Sequence, residues 1–91
     1  MPTRVVAVAS AVGLHARPAS IFARAAAQQP TAVTIALDGG APVDAASILS
    51  VMSLGAGHGD VVTLEADGDG AEESLDALAA LLARDLDAPA A

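Results

Sequence analysis

Along the chain, short stretches that alternate apolar and polar positions trade places with longer stretches of helical period. Arg4-Val5-Val6-Ala7-Val8-Ala9 is β-branched and short, and predicts a strand with Val6 and Val8 on one face. A helix follows from about Ala16 to Gln28, with Ala19, Phe22, Ala23 and Ala26 spaced to face a core, and Pro30 ends it. Arg17, Ser20, Ile21 and Arg24 fall on another side of that helix. Ala32 to Leu37 reads as a strand with Val33, Ile35 and Leu37 on one face and Ala32, Thr34 and Ala36 on the other. Asp38-Gly39-Gly40 is a turn signal, and Pro42 confines the piece from Ala41 to Asp44 to a sheet edge. Ser47 is placed to cap a short helix from Ile48 to Leu54, with Gly55 as its stop. Asp60 to Ala66 is the last strand, with Val62, Leu64 and Ala66 inward. After a turn at 67–70, Asp69 and Glu72 have the spacing of an N-terminal capping pair. The helix from about Ala71 to Leu86 carries Leu75, Leu78, Leu81 and Leu82 as its apolar stripe. Glu72 and Glu73 near its start and Arg84 near its end suit the helix dipole, and Asp87 to Ala91 reads as a frayed tail. The order βαββαβα belongs to the α+β class, with helices on one face of a mainly antiparallel sheet.

Composition narrows the function. Ninety-one residues are expected to form one domain, 1–91, with a thin core, since alanine dominates the hydrophobic fraction and Phe22 is the one aromatic. No apolar run approaches the ~18 residues of a membrane span, and no secretory signal opens the chain, so a cytoplasmic protein without membrane insertion is expected. The absence of cysteine excludes disulfides and thiolate metal sites. Charge is divided along the chain. Residues 1–37 hold Arg4, Arg17 and Arg24 and no acid, whereas residues 38–91 hold all eleven acids and only Arg84. An acidic chain without lysine argues against nucleic acid as a partner.

The basic part coincides with the densest chemistry, Gly13-Leu14-His15-Ala16-Arg17-Pro18-Ala19-Ser20. Pro18 is tolerated in the first turn of a helix, where N–H groups lack intrahelical acceptors, and so puts the helix start at about residues 15–17. His15 then stands at an end that carries free N–H groups, near Ala16 and Arg17, and a partial positive charge. Arg17 adds a guanidinium suited to phosphate. Histidine is largely neutral, and therefore nucleophilic, near neutral pH. The combination reads as a phosphohistidine site. No Walker-type loop and no second catalytic acid, base or metal cluster accompanies it, which argues against a stand-alone enzyme.

Gly-Leu-His-Ala-Arg-Pro-Ala closely resembles the active-centre signature of HPr, the histidine-containing phosphocarrier family of the bacterial phosphotransferase system. Ser47-Ile48-Leu49-Ser50-Val51-Met52-Ser53-Leu54-Gly55 resembles that family's second characteristic segment, and the order of elements agrees over essentially the whole chain. The resemblance implies an open-faced sandwich of four antiparallel strands with three helices on one face. It implies a monomeric carrier with no cofactor or metal, phosphorylated by enzyme I on Nδ1 of His15 at the expense of phosphoenolpyruvate. The group then passes to IIA components of sugar transporters. It makes Ile48, Leu49 and Met52, with Ser20, a docking surface. Spacing agrees, because those three cannot all face inward if Val51 and Leu54 do.

Ser47 matches the serine that a dedicated HPr kinase phosphorylates in some relatives, and is equally an ordinary helix cap. Ala46 stands where a lysine is expected, Ser50 where glycine is usual, and Val12 where asparagine is frequent. His58, between Gly57 and Gly59, matches no functional position and is expected as an exposed loop residue. Two other functions fit the same motif: a paralogous carrier of a nitrogen-related or dihydroxyacetone-linked branch, and a regulatory module in which His15 modulates partner affinity.

Overall fold

The computed structural model describes residues 2–11 and 13–84. The chain runs β1 (Thr3–Ala7), α1 (Ala16–Ala27), β2 (Val33–Leu37), β3 (Val43–Asp44), α2 (Ile48–Ser53), β4 (Val61–Ala66) and α3 (Ala71–Leu82). The strands form one antiparallel sheet in the order β1-β4-β2-β3. This is the open-faced sandwich. β4 enters between β1 and β2, with Val5 opposite Thr63 on one side and Ile35 opposite Leu64 on the other.

Alternation decides which face is covered. Val8, Val33, Ile35, Val62, Leu64 and Ala66 are buried with Phe22, Val51, Leu75, Leu78 and Leu82 in one apolar cluster. Each large side chain removed from water in this way contributes about 1.5–3 kcal/mol. Helix α3 lies against β1 and β4, and α1 packs beside α2 and α3. Small residues on α1 (Ala19, Ala23 and Ala26) leave room for Phe22, which is fully enclosed. The uncovered face carries Thr3, Val5, Thr34 and Val61 as exposed residues. Ala36, expected outside, is also buried; its short methyl, opposite Thr63 on an inner strand, does not reach past its neighbours.

Element ends follow local chemistry, with one correction. Ser47 caps α2, its Oγ accepting the Ser50 N–H at 3.2 Å, and Gly55 follows the helix at φ +67°. The Asp69–Glu72 capping pair does not form. The cap residue of α3 is Gly70, in the left-handed conformation at φ 82°, without a side-chain bond. A Cβ at Gly70 would meet Pro30 Cγ at 2.8 Å, so the turn after α1 dictates a bare backbone there and leaves Asp69 outside the helix. Helix α3 ends at Leu82 with Ala83 as its cap, so Arg84 lies just beyond it. The expected extension to Leu86 and the tail from Asp87 lie outside the described residues, as does Val12.

Two polar details separate decoration from cost. Arg4 ties β1 to α3 by donating to Asp76 Oδ1 at 2.8 Å, with Glu72 at 3.8 Å, a surface arrangement contributing about 0.2–1 kcal/mol. Ser74, fully buried on α3, has an Oγ without a hydrogen-bond partner among the described residues. Replacing it by alanine removes a desolvated hydroxyl and keeps the helix. The Ser74→Ala protein should be more stable by about 1 kcal/mol, a rise of about 4–8 °C in Tm by thermal denaturation. A fall would show that the hydroxyl is bonded.

Candidate functional site

The site is assembled where three segments meet at one end of the sheet. Leaving β1, the chain turns through Ser10, whose carbonyl accepts the Gly13 N–H at 2.9 Å. Gly13 has φ +70°, and its Cα lies so close to the segment after α2 that an added Cβ would come within 2.5 Å of Ala56 O and 2.7 Å of Gly57 Cα. The next residue donates across the same gap, from Leu14 N–H to Ala56 O at 2.9 Å, and its side chain is buried. His15 is then the N-cap of α1, in extended backbone, with its carbonyl accepting the Ala19 N–H at 2.8 Å. Pro18 and Ala19 are buried in the turn that follows. His15 is thus an exposed residue held between buried anchors on both sides.

Its side chain makes no capping bond. The imidazole is not spent on the helix it begins. The first-turn N–H groups of Ala16 and Arg17 have no intrahelical acceptor, Pro18 has no N–H, and no acid occupies the first turn. Arg17 is exposed, and the ion pairs found among the described residues involve Arg4 alone, so neither Arg17 nor Arg24 is neutralised by one. An incoming anion therefore meets a helix N-terminus and an uncommitted guanidinium beside an uncommitted imidazole.

Helix α2 supplies the apolar neighbour. Val51 is enclosed, whereas Leu49 is 80% exposed and Ile48 and Met52 stand at about the same partial exposure, 40% and 39%. This agrees with the division the spacing predicts. Since α2 packs beside α1, and Ala56 just beyond it bonds Leu14, the helix and the His15 turn belong to one face. Ser20 is half-buried on α1. Ser47 is half-buried as a cap, and Ala46 is exposed. No group of three or more His, Cys, Asp or Glu side chains able to hold a metal ion occurs among the described residues, and no helix there is long and apolar enough to cross a membrane.

Sequence reasoning missed two parts of this arrangement. One is the contact of Gly13 with Ala56 and Gly57, for which the only signal was the glycine that opens the motif. The other is His58, which is exposed as expected but sets its Nδ1 3.3 Å from the Ser10 carbonyl.

An exposed histidine thus opens the first helix beside this sheet, and comparison with known proteins identifies the class of protein to which such a chain belongs. The family model described as the PTS HPr component phosphorylation site matches residues 2–84, and the chain belongs to the HPr phosphocarrier family. Phosphocarrier protein HPr of Streptomyces coelicolor is 52% identical over 87 residues, covering 96% of this chain and 94% of its own. The crystal structure of HPr-C-His from Thermoanaerobacter tengcongensis has a TM-score of 0.87 at 34% identity, covering 99% of this chain and all of that one. The HPr of Bacillus anthracis str. Ames has a TM-score of 0.83 at 40% identity, covering 89% and 95%.

Gly13→Ala is the sharpest test of the backbone contact. The left-handed conformation and the overlap with Ala56 and Gly57 together should cost about 2–4 kcal/mol, measured by chemical denaturation. A change below about 1 kcal/mol would mean that the two segments separate freely.

Proposed function

We propose that this chain accepts a phosphoryl group on His15 from phospho-enzyme I and passes it to IIA components of sugar transporters. The observation that carries the reading is the exposed imidazole at the start of α1 that makes no capping bond. A ring nitrogen, proposed as Nδ1, attacks phosphorus as the bond from phosphorus to the donor breaks, and the reverse exchange delivers the group to the acceptor. The N–H groups of Ala16 and Arg17 and the Arg17 guanidinium receive the added negative charge. The helix end contributes only about 0.3–1 kcal/mol, so it steadies the phosphoryl group without trapping it. Pro18 serves by anchoring this turn while leaving no competing donor of its own.

Docking in this reading uses Ser20 with Ile48, Leu49 and Met52, and the exposed Arg17 and Arg24 steer an acidic partner surface toward them. Ser47 acts as the cap of α2 by accepting from Ser50 N–H, a bond that does not use the hydroxyl hydrogen a serine kinase would replace. The chain itself turns over no substrate.

Incubation with enzyme I and labelled phosphoenolpyruvate should give an acid-labile, base-stable label that moves on when a IIA component is added. His15→Ala should take no label at an unchanged Tm, since the residue contributes only its backbone to the cap. Labelling of that variant would place the acceptor elsewhere and end the reading.

Leu49→Asp separates docking from packing. At 80% exposure the change should alter stability by less than about 0.5 kcal/mol while weakening the complex with enzyme I by about ten-fold, read by titration calorimetry. Full-strength binding by a folded variant would remove α2 from the interface.

A further inference from the structure

The segment that delivers His15 is bound to the turn at 56–60 at both of its ends. At the near end Val8 N–H donates to Asp60 O at 2.9 Å and Gly59 N–H donates back to Val8 O at 2.8 Å. At the far end Leu14 N–H donates to Ala56 O at 2.9 Å. Between them lies the turn closed by Gly13 N–H on the Ser10 carbonyl, and this carbonyl is the one that His58 faces.

A carbonyl oxygen only accepts. A hydrogen bond over that 3.3 Å therefore requires the proton on Nδ1 of His58. Both the neutral Nδ1–H tautomer and the imidazolium meet the requirement, so the contact does not depend on the ring's charge. The ring projects from a turn that is itself closed twice: Gly57 N–H donates to Asp60 Oδ2 at 2.8 Å, and Asp60 N–H donates to Gly57 O at 3.0 Å. Ser10 is buried, so its carbonyl offers little room for water to stand in for the ring.

We propose that His58 is a positioning residue for the phosphoryl acceptor: its Nδ1–H holds the Ser10 carbonyl and thereby fixes the turn that aims His15. The proposal rests on the reading of His15 as that acceptor. His58 touches neither the phosphoryl group nor the imidazole of His15 in this role; it acts through the Ser10 carbonyl, which also accepts the Gly13 N–H. In-line transfer is sensitive to displacements of a reacting atom smaller than a bond length, so a slack turn slows transfer even when the fold is intact.

The test compares phosphorylation rates by phospho-enzyme I for the wild type and for His58→Asn, His58→Gln and His58→Ala. An asparagine amide nitrogen takes the place of Nδ1, whereas that of glutamine reaches toward Nε2. His58→Asn should keep the wild-type rate, and the other two should be about three- to ten-fold slower, the equivalent of one neutral hydrogen bond, at unchanged Tm. Nitrogen-15 NMR of the wild type should find the neutral ring of His58 protonated on Nδ1. Equal rates in all four proteins, equal losses in the asparagine and glutamine variants, or a ring protonated on Nε2 would overturn the proposal alone. A wild type that takes no label would overturn the acceptor reading and this proposal with it.

Discussion

The backbone-to-backbone approach of Gly13 and Leu14 to Ala56 and Gly57 is the constraint on which the site depends. It joins a turn after the first strand to a turn before the last, and it leaves no volume for a side chain at residue 13. Because main chain meets main chain, the position of the next residues follows from hydrogen-bond geometry, with little contribution from side-chain rotamers. His15 inherits that precision. Its neighbours Leu14, Pro18 and Ala19 are buried, so the helix start is clamped from below while the imidazole stays in solvent.

The same clamp explains how a modest electrostatic site suffices. Among the described residues nothing near His15 resembles a deep cradle; there is a helix end, two N–H groups without an intrahelical acceptor and one guanidinium. A group that must be taken up and given away within one relay is poorly served by tight binding, since interactions made equally before and after transfer slow release. Acidic side chains are kept out of the first turn of α1 and gather on the later half of the sequence, where Glu72 and Asp76 engage Arg4 at the opposite strand. Arg17 and Arg24 on α1 are left without an ion pair among the described residues.

Much of the fold was legible because burial follows period. Val62, Leu64 and Ala66, or Ala19, Phe22, Ala23 and Ala26, announce their inward faces with no knowledge of what covers them. Ser47 as a cap and Gly55 as a stop are local chemistry and were read as such. The misreadings have a common cause, which is contact between segments remote in sequence. Asp69 and Glu72 have the right spacing for a capping pair, but Gly70, in the left-handed conformation and close against Pro30, is the cap instead. His58 is the exposed loop residue expected, and its contact was not legible because its partner, the Ser10 carbonyl, is 48 positions away and is a backbone atom that no side-chain pattern marks. Strand order likewise came from resemblance, as periodicity does not say that β4 lies between β1 and β2.

That strand order is what makes a two-part site possible. β1 ends where β4 begins, with Ala7 opposite Val61, so the loop leaving one strand and the loop entering the other emerge side by side. The first loop leads into α1 and carries His15 at its end; the second descends from α2 and carries Gly57 and His58. Pairing two strands separated by more than fifty residues therefore brings the start of one helix against the end of another. An exposed apolar face and an exposed imidazole become neighbours without either being in the core. Had β4 paired outside β3, both motifs would remain in the sequence, each on a well-formed helix, with no common surface for a partner to read.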